Sequence, residues 1–351
     1  MRILIHPRPT PAYSAGIFLA RVASELKRRG YKWTARPFHY FGLSMLPWHY
    51  CFLMGTPRHC GKIISSGKPV VLTMGKPQLK EEIEALGFPY LAEYVRQEEQ
   101  MMQAIQTAPR IVFISEYVRR LWTGVFGARG VSFPPPERVR VIHHGVDTTR
   151  FAPAPGLQRE PFVLGAVGAL RARFRLETLF AVSRMLPHDH RLLIVGSMDD
   201  PCRRQYELAM CDPRLRNRTQ YFPWVSSEEL PQYYRRMHCL FHPVDFEGCG
   251  IVVIEALACG VPVVVPAHGA PQEYLGCGGI AVRVPQFTYG DEFCRRMAEA
   301  VTAVKDDWDR FSRGARTQAN DHLSIRRTMD HYLEFMGLPM RTDQHKKELT
   351  R

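Results

Sequence analysis

The residues best suited to chemistry lie in one stretch, Phe246-Glu247-Gly248-Cys249-Gly250-Ile251-Val252-Val253-Ile254-Glu255. Two glycines precede an apolar helical run. Glycine lets a backbone approach a phosphate closely, and the amides and dipole of a helix start attract negative charge. Glu255 falls about one and a half turns into that helix, where a carboxylate accepts hydrogen bonds from ribose hydroxyls. Glu247, with seven residues intervening, reaches the far side of the same ligand, so one nucleotide sugar spans both carboxylates. An ordinary strand, turn and helix with solvated glutamates has the same spacing, because glycine turns precede many helices in doubly wound folds.

The elements that must position this stretch alternate between two periodicities. Ile3 to Ile5 reads as a strand and Gly16 to Arg29 as a helix ending at Gly30. Pro69 to Met74, Arg110 to Ile114 and Arg138 to Ile142 are short β-branched runs, with a helical pattern from Glu81 to Gln106. A second series holds strands at Phe162–Val167, Arg191–Val195, Thr219–Phe222, Cys239–His242 and Val261–Val265. Its helices read as Leu176–Met185, Arg203–Met210, Ser227–Met237, Gly250–Cys259 and Asp291–Val304, with a last helix at Asp321–Met336. Strands alternating with helices imply parallel sheets, so the expected class is α/β with two Rossmann-like doubly wound domains. The prolines of 147–161 mark the linker. The expected domains are 1–155 on the acceptor side, 156–318 for the nucleotide sugar, a helix over 319–337 packing back on the first domain, and a polar tail over 338–351.

The 351 residues suffice for two full cores. Lys plus Arg number 47 against 34 Asp plus Glu, a net charge of +13, and the excess is local. Residues 1–80 hold 13 basic residues and one acidic residue, Glu25, whereas 151–351 hold 26 against 24. Within the basic segment, Arg36 to Arg58 contains Phe38, Tyr40, Phe41, Trp48, Tyr50 and Phe52 with no acidic residue. Such a face suits an anionic membrane surface, and the alternative is a core of buried aromatics under a solvated basic surface. Binding of nucleic acid is not expected, because no recognised motif accompanies the charge. Nine scattered cysteines without a Cys-x-x-Cys pair imply reduced thiols and a cytoplasmic setting, with docking on the inner face of the membrane as the further expectation. The opening apolar run is too short for a signal peptide, and Gly250 to Val265 contains Glu255, which disqualifies it as a span. His49-Tyr50-Cys51 and His59-Cys60 fit no usual zinc spacing, so no metal is expected. No Gly-x-Ser-x-Gly elbow or Gly-Lys-Ser/Thr phosphate loop is present.

Residues 110–305 resemble retaining glycosyltransferases of family 4, whose GT-B fold has two facing Rossmann-like domains. The resemblance rests on Ile114-Ser115-Glu116-Tyr117-Val118-Arg119-Arg120, Arg140-Val141-Ile142-His143-His144-Gly145-Val146-Asp147, Leu192 to Gly196, Trp224-Val225-Ser226 with Glu229-Leu230, the two spaced glutamates, and Gly269-Ala270-Pro271-Gln272-Glu273. It implies transfer of a sugar from a UDP- or GDP-sugar to a saccharide or lipid-linked acceptor, with retention, in cell-surface polysaccharide or glycolipid synthesis. It implies that Glu247 lies at the donor sugar as the catalytic residue, that Gly248, Cys249, Gly250 and Ile251 hold the diphosphate, and that Glu255 binds the ribose. Gly16 matches an amino-terminal glycine loop that usually carries two glycines. The chain departs from the pattern elsewhere. In Val167-Gly168-Ala169-Leu170 the expected Arg is Ala169, the expected Lys five residues later is Phe174, and in Val71-Leu72-Thr73-Met74-Gly75 the histidine with which many relatives end the strand is Gly75. Arg171, Arg173 and Arg175 crowd the same loop and are candidate replacements for the phosphate cations, since a guanidinium binds phosphate bidentately. The departures leave a second expectation, a catalytically silent GT-B protein that binds a nucleotide sugar or a protein partner.

Overall fold

The computed structural model describes residues 2–6, 14–35, 49–54, 63–65, 69–85, 89–156, 160–244, 246–283 and 289–340. The chain divides into two compact units, Met1–Gly145 with Ser324–Arg351, and Val146–Leu323. The first holds β1 (Arg2–His6), α1 (Ser14–Arg28), β2 (Lys32–Ala35), β3 (Tyr50–Met54), β4 (Val70–Met74), α2 (Lys80–Ala85), α3 (Ala92–Thr107), β5 (Arg110–Phe113), α4 (Glu116–Ala128) and β6 (Val139–Val141). The second holds β7 (Val163–Val167), α5 (Leu176–Met185), β8 (Arg191–Val195), α6 (Asp200–Met210), α7 (Pro213–Arg216), β9 (Thr219–Phe222), α8 (Leu230–Tyr234), β10 (Cys239–Phe241), α9 (Ile251–Ala258), β11 (Val263–Pro266), β12 (Gly279–Val282), α10 (Asp291–Asp306) and α11 (Trp308–His322). The last helix, α12 (Ile325–Phe335), returns to the first unit.

Each unit is built on a parallel six-stranded sheet, in the order β2-β1-β3-β4-β5-β6 and β12-β11-β10-β7-β8-β9. Sheets covered by helices need strands apolar on both faces, and Val70 to Met74 are accordingly all buried. In the second unit the strand order reverses between β10 and β7, and a ligand crevice opens beyond the carboxyl ends of strands at such a reversal.

The second unit begins ahead of the 155/156 boundary that the prolines suggested. Arg316 donates to the carbonyls of Thr148 at 2.9 Å and Phe151 at 3.0 Å, and Arg235 donates to Ala152 at 2.8 Å. These bonds tie 148–152 to the second unit, while the buried Phe151 ring meets Tyr234 edge-on. The helical pattern from Glu81 to Gln106 is two helices, α2 and α3, separated around Pro89, which has no amide to donate. The run read as Asp321–Met336 likewise spans the end of α11 and the whole of α12. Ser324 caps the new helix by accepting from the Arg327 amide.

Helix α12 completes the core of the first unit: Ile325, Met329, Tyr332 and Leu333 pack with Ile3, Phe18, Val22 and Phe52. Phe52 and Cys51, on the segment considered as a membrane face, are buried in β3, so there the core alternative holds. Phe38, Tyr40, Phe41 and Trp48 lie outside the described residues. Arg29, another member of the basic segment, is buried. It donates to Glu25 at 2.7 Å, to Asp330 at 2.6 Å and to the Arg326 carbonyl at 2.8 Å, which fastens α1 to α12. Burial pushes the Arg29 pKa down, but both carboxylates outweigh it and leave the guanidinium above its ordinary value. Removing one partner of a buried pair strands the other, so Arg29→Ala should destabilise the chain by roughly 3 kcal/mol in urea unfolding. Lys27→Ala, on an exposed position of the same helix, should shift stability by less than about 0.5 kcal/mol.

Candidate functional site

The chain leaves β10 through His242, Pro243 and Val244 and re-enters a helix at Ile251. Two backbone features bend it there. Phe246 has φ of 56°, in the left-handed region that costs a non-glycine residue roughly 1–2 kcal/mol, and Gly250, ahead of α9, has φ of 70°. Gly269 brings a second loop against this turn. A Cβ on Gly269 would stand 2.8 Å from the Glu247 carbonyl oxygen and 3.0 Å from its nitrogen, and the Ala270 amide donates to that carbonyl at 2.8 Å. The Gly269-Ala270 pair thereby fixes where Glu247 sits.

Glu247 keeps only 17% of its side chain exposed. Its carboxylate accepts from the Cys249 amide at 3.3 Å and from the Gly250 amide, and Arg173 Nη2 lies 3.6 Å from Oε2. Burial pushes the carboxyl up; Arg173, then His242 and the two amides outweigh it, so Glu247 is held below the ordinary glutamate range. Gly248, Cys249, Gly250 and Ile251 are all buried, and they form the turn that closes around this carboxylate. In the structure, two amides of the expected phosphate cradle therefore already hold an anion, the side chain of Glu247.

The three arginines have separate surroundings. Arg173 faces Glu247 and is 44% exposed. Arg171 donates to the Ser197 carbonyl at 3.3 Å. Arg175 occupies a left-handed position, φ 54°, and its guanidinium lies over the Tyr289 ring, 3.2 Å from the centroid. Phe174, between Arg173 and Arg175, is buried in the core of the second unit. Glu255 is buried in α9 and accepts from the Tyr234 hydroxyl at 2.9 Å. Gly16 lies in the first turn of α1, in the first unit. His143 and His144 carry a loop of that unit: the Thr328 hydroxyl donates to the His143 carbonyl at 3.1 Å, and His144 stacks on Phe18 at 3.8 Å. Among the described residues, no cluster of three or more His, Cys, Asp or Glu is placed to hold a metal ion.

The comparisons with known proteins bear on this same unit. The family described as Glycosyl transferases group 1 matches residues 147–313, which include β7 through α10 and the Glu247 turn. A D-inositol 3-phosphate glycosyltransferase of Mycobacteroides abscessus is 33% identical over 147 residues, covering 38% of this chain and 32% of that protein. A GDP-mannose-dependent alpha-(1-6)-phosphatidylinositol monomannoside mannosyltransferase of Mycolicibacterium smegmatis is 26% identical over 245 residues, covering 59% of this chain and 60% of that protein. The chain thus spans less than two thirds of either relative. The crystal structure of Anabaena Alr3699/HepE in complex with UDP and glucose superposes with a TM-score of 0.71 at 16% identity, over 96% of this chain and 99% of that one. Likeness at that identity establishes the fold, which is GT-B, with two parallel six-stranded sheets, and the residues matched by the group 1 model lie in the second unit.

Sequence reasoning passed over one residue whose charge is influenced by Glu247 and Arg173. His242, at the carboxyl end of β10, is 4% exposed, and neither ring nitrogen has a hydrogen-bond partner among the described residues. Burial, reinforced by Arg173 and opposed by Glu247, pushes its pKa down to about 4. The unfolded chain therefore binds a proton at His242 near pH 6.5 that the folded chain refuses, so this residue lowers stability as pH falls from about 6.5 toward 4. His242→Leu should raise the melting temperature and flatten its decline over that pH window. A decline as steep as that of the parent would show that His242 titrates normally.

Proposed function

We propose that the chain is a glycosyltransferase that moves a sugar from a nucleoside diphosphate sugar to an acceptor hydroxyl, with retention, as a member of family 4. The observation that carries this reading is the Glu247 turn at the sheet reversal of a group 1 domain, where a buried carboxylate, two backbone amides, a helix start and the Arg173 guanidinium converge. Amides and a guanidinium in a partly dry site stabilise charge on a departing diphosphate, which is the dominant need when the bond from the anomeric carbon to the phosphate oxygen breaks. The electron pair leaves with the diphosphate, the acceptor oxygen bonds the anomeric carbon, and its proton passes to the departing diphosphate oxygen. Gly248, Cys249, Gly250 and Ile251 hold the diphosphate, Glu255 takes the ribose and Glu247 orients the sugar. UDP- and GDP-sugars are the donors of choice, supported by the UDP bound in the HepE structure and the GDP-mannose dependence of the mycobacterial relative. The acceptor is a saccharide or lipid-linked sugar, and the product belongs to cell-surface polysaccharide or glycolipid.

A silent binding protein is favoured by one observation: Phe174, where the resemblance expects a lysine, is core, and Ala169 carries no charge. A thermal-shift panel of nucleoside diphosphate sugars, followed by assay of sugar release, separates the readings. Binding raises the melting temperature because the ligand binds only the folded state. Arg173→Gln and Glu255→Gln should each weaken donor affinity about tenfold, the loss of one hydrogen bond to a charged group. A chain that binds the donor yet releases no sugar is the silent protein, and a chain that binds none of the panel refutes the transferase and leaves only the protein-partner form of the silent reading.

We also place the acceptor on an anionic membrane reached by the first unit. No described helix is long and apolar enough to cross a bilayer. Lys27 at the end of α1 and Lys32 and Trp33 on the edge strand β2 are exposed, and each basic residue near acidic lipid adds about 1 kcal/mol of attraction. Arg29 is excluded from this set because it is buried. The protein should sediment with vesicles containing acidic lipid, release as salt rises, and lose most binding in the Lys27→Gln, Lys32→Gln variant. A chain left in the supernatant at low salt points instead to a soluble acceptor.

A further inference from the structure

His242 is the least explained group in the second unit. A neutral imidazole carries one N–H donor and one acceptor, and leaving each buried without a partner costs about 1–3 kcal/mol. An apolar side chain of that size would be more stable there, packed as the ring is against the edge of Phe174, 5.9 Å away. The ring also lies close enough to Glu247 and Arg173 for the charges of the three groups to be coupled. It stands at the carboxyl end of β10, the strand beside the sheet reversal.

The surroundings of Glu247 give that orphaned donor a use. Its carboxylate rests on the Cys249 and Gly250 amides and beside Arg173, the same kind of donors that a diphosphate at this helix start requires. Each backbone amide has one N–H to give, so a diphosphate that takes both withdraws them from Glu247. When a diphosphate takes them, Glu247 is left buried with its partners withdrawn, and an unpaired carboxylate in that setting is costly. A donor that breaks no existing bond in order to serve the carboxylate removes that cost.

We propose that His242 is a positioning residue that takes the Glu247 carboxylate on its ring N–H when a nucleoside diphosphate displaces the carboxylate from the Cys249 and Gly250 amides. The assignment rests on the nucleotide-sugar reading above. His242 touches neither phosphate nor sugar in this scheme. It acts by holding Glu247 charged and turned away from the helix start, which frees the amides for the ligand and fixes the carboxylate at the sugar.

The test uses the full chain with UDP, GDP and their sugars as probes. His242→Phe and His242→Leu remove the N–H, and His242→Gln keeps one. Both apolar variants should fold with raised melting temperature, bind the nucleoside diphosphate about tenfold more weakly, and release sugar at a reduced kcat; His242→Gln should recover most of the affinity. In a Glu247→Gln background the same His242 changes should alter affinity less than about twofold, because the neutral amide no longer needs the donor. Wild-type affinity and kcat in both apolar variants would overturn the assignment, as would an undiminished effect in the Glu247→Gln background. If the wild-type chain binds none of the probes, the nucleotide-sugar reading and the His242 assignment fall together, whereas binding by the wild type with indifferent His242 variants removes the second alone.

Discussion

A carboxylate held out of water at the reversal of a parallel sheet is the constraint around which the second unit is arranged. Glu247 is ionised, in spite of burial, because Arg173 and two backbone amides oppose the desolvation. That balance sets the local backbone. The turn needs left-handed residues at Phe246 and Gly250, and the partner loop needs a residue without a side chain at Gly269. The sheet supplies the rigidity beneath it, since β10 sits between β11 and β7 and its three residues are fully buried. A site on such a strand end is held more firmly than one on a free loop.

The first unit is organised by a different device. Its sheet is completed by a helix from the far end of the chain, and the buried Arg29 bridges α1 to that helix through Glu25, Asp330 and the Arg326 carbonyl. Arg21 and Thr328 in turn hold the loop that ends the unit, by donating to the Gly145 and His143 carbonyls. A Cβ on Gly145 would stand 2.6 Å from the Ile325 Cα, so close packing of that loop on α12 is what makes glycine necessary there. Charge that reads in the sequence as a basic surface is thus partly structural at Arg29, while Lys27 and Lys32 are exposed.

Much of this was legible because parallel strands buried on both faces leave an unbroken apolar signature. Leu176–Met185, Arg191–Val195 and Thr219–Phe222 have the same ends in the sequence reading and in the structure. Helix breaks were harder, because amphipathic spacing continues across the gap at Pro89 and across Ser324, and only the cap geometry marks the restart. Strand β3 was obscured by its aromatic and basic neighbours, although Cys51 to Met54 are a continuous buried run. At the site, the glutamate spacing and the glycine turn pointed to residues that the fold does gather at one strand end. The roles of the arginines were not legible, since Arg173, Phe174 and Arg175 are consecutive in sequence yet meet a carboxylate, the core and an aromatic ring respectively.

The same consecutive run explains why Arg173 is the cation that stands beside Glu247. Burying Phe174 in the core fixes the rotation of the short helical turn Ala172–Phe174, and that turn ends in the left-handed Arg175, whose side chain is drawn onto Tyr289. With Phe174 and Arg175 committed, Arg173 is the charged residue of the turn that faces Glu247. Its guanidinium is partly exposed and no hydrogen bond ties it to the carboxylate at 3.6 Å, so a phosphate can draw it away without breaking a tight pair. A lysine at the core position would have been a fixed point charge. An arginine one residue earlier is half-exposed and can follow a phosphate, while the buried Phe174 keeps the turn that carries it in place.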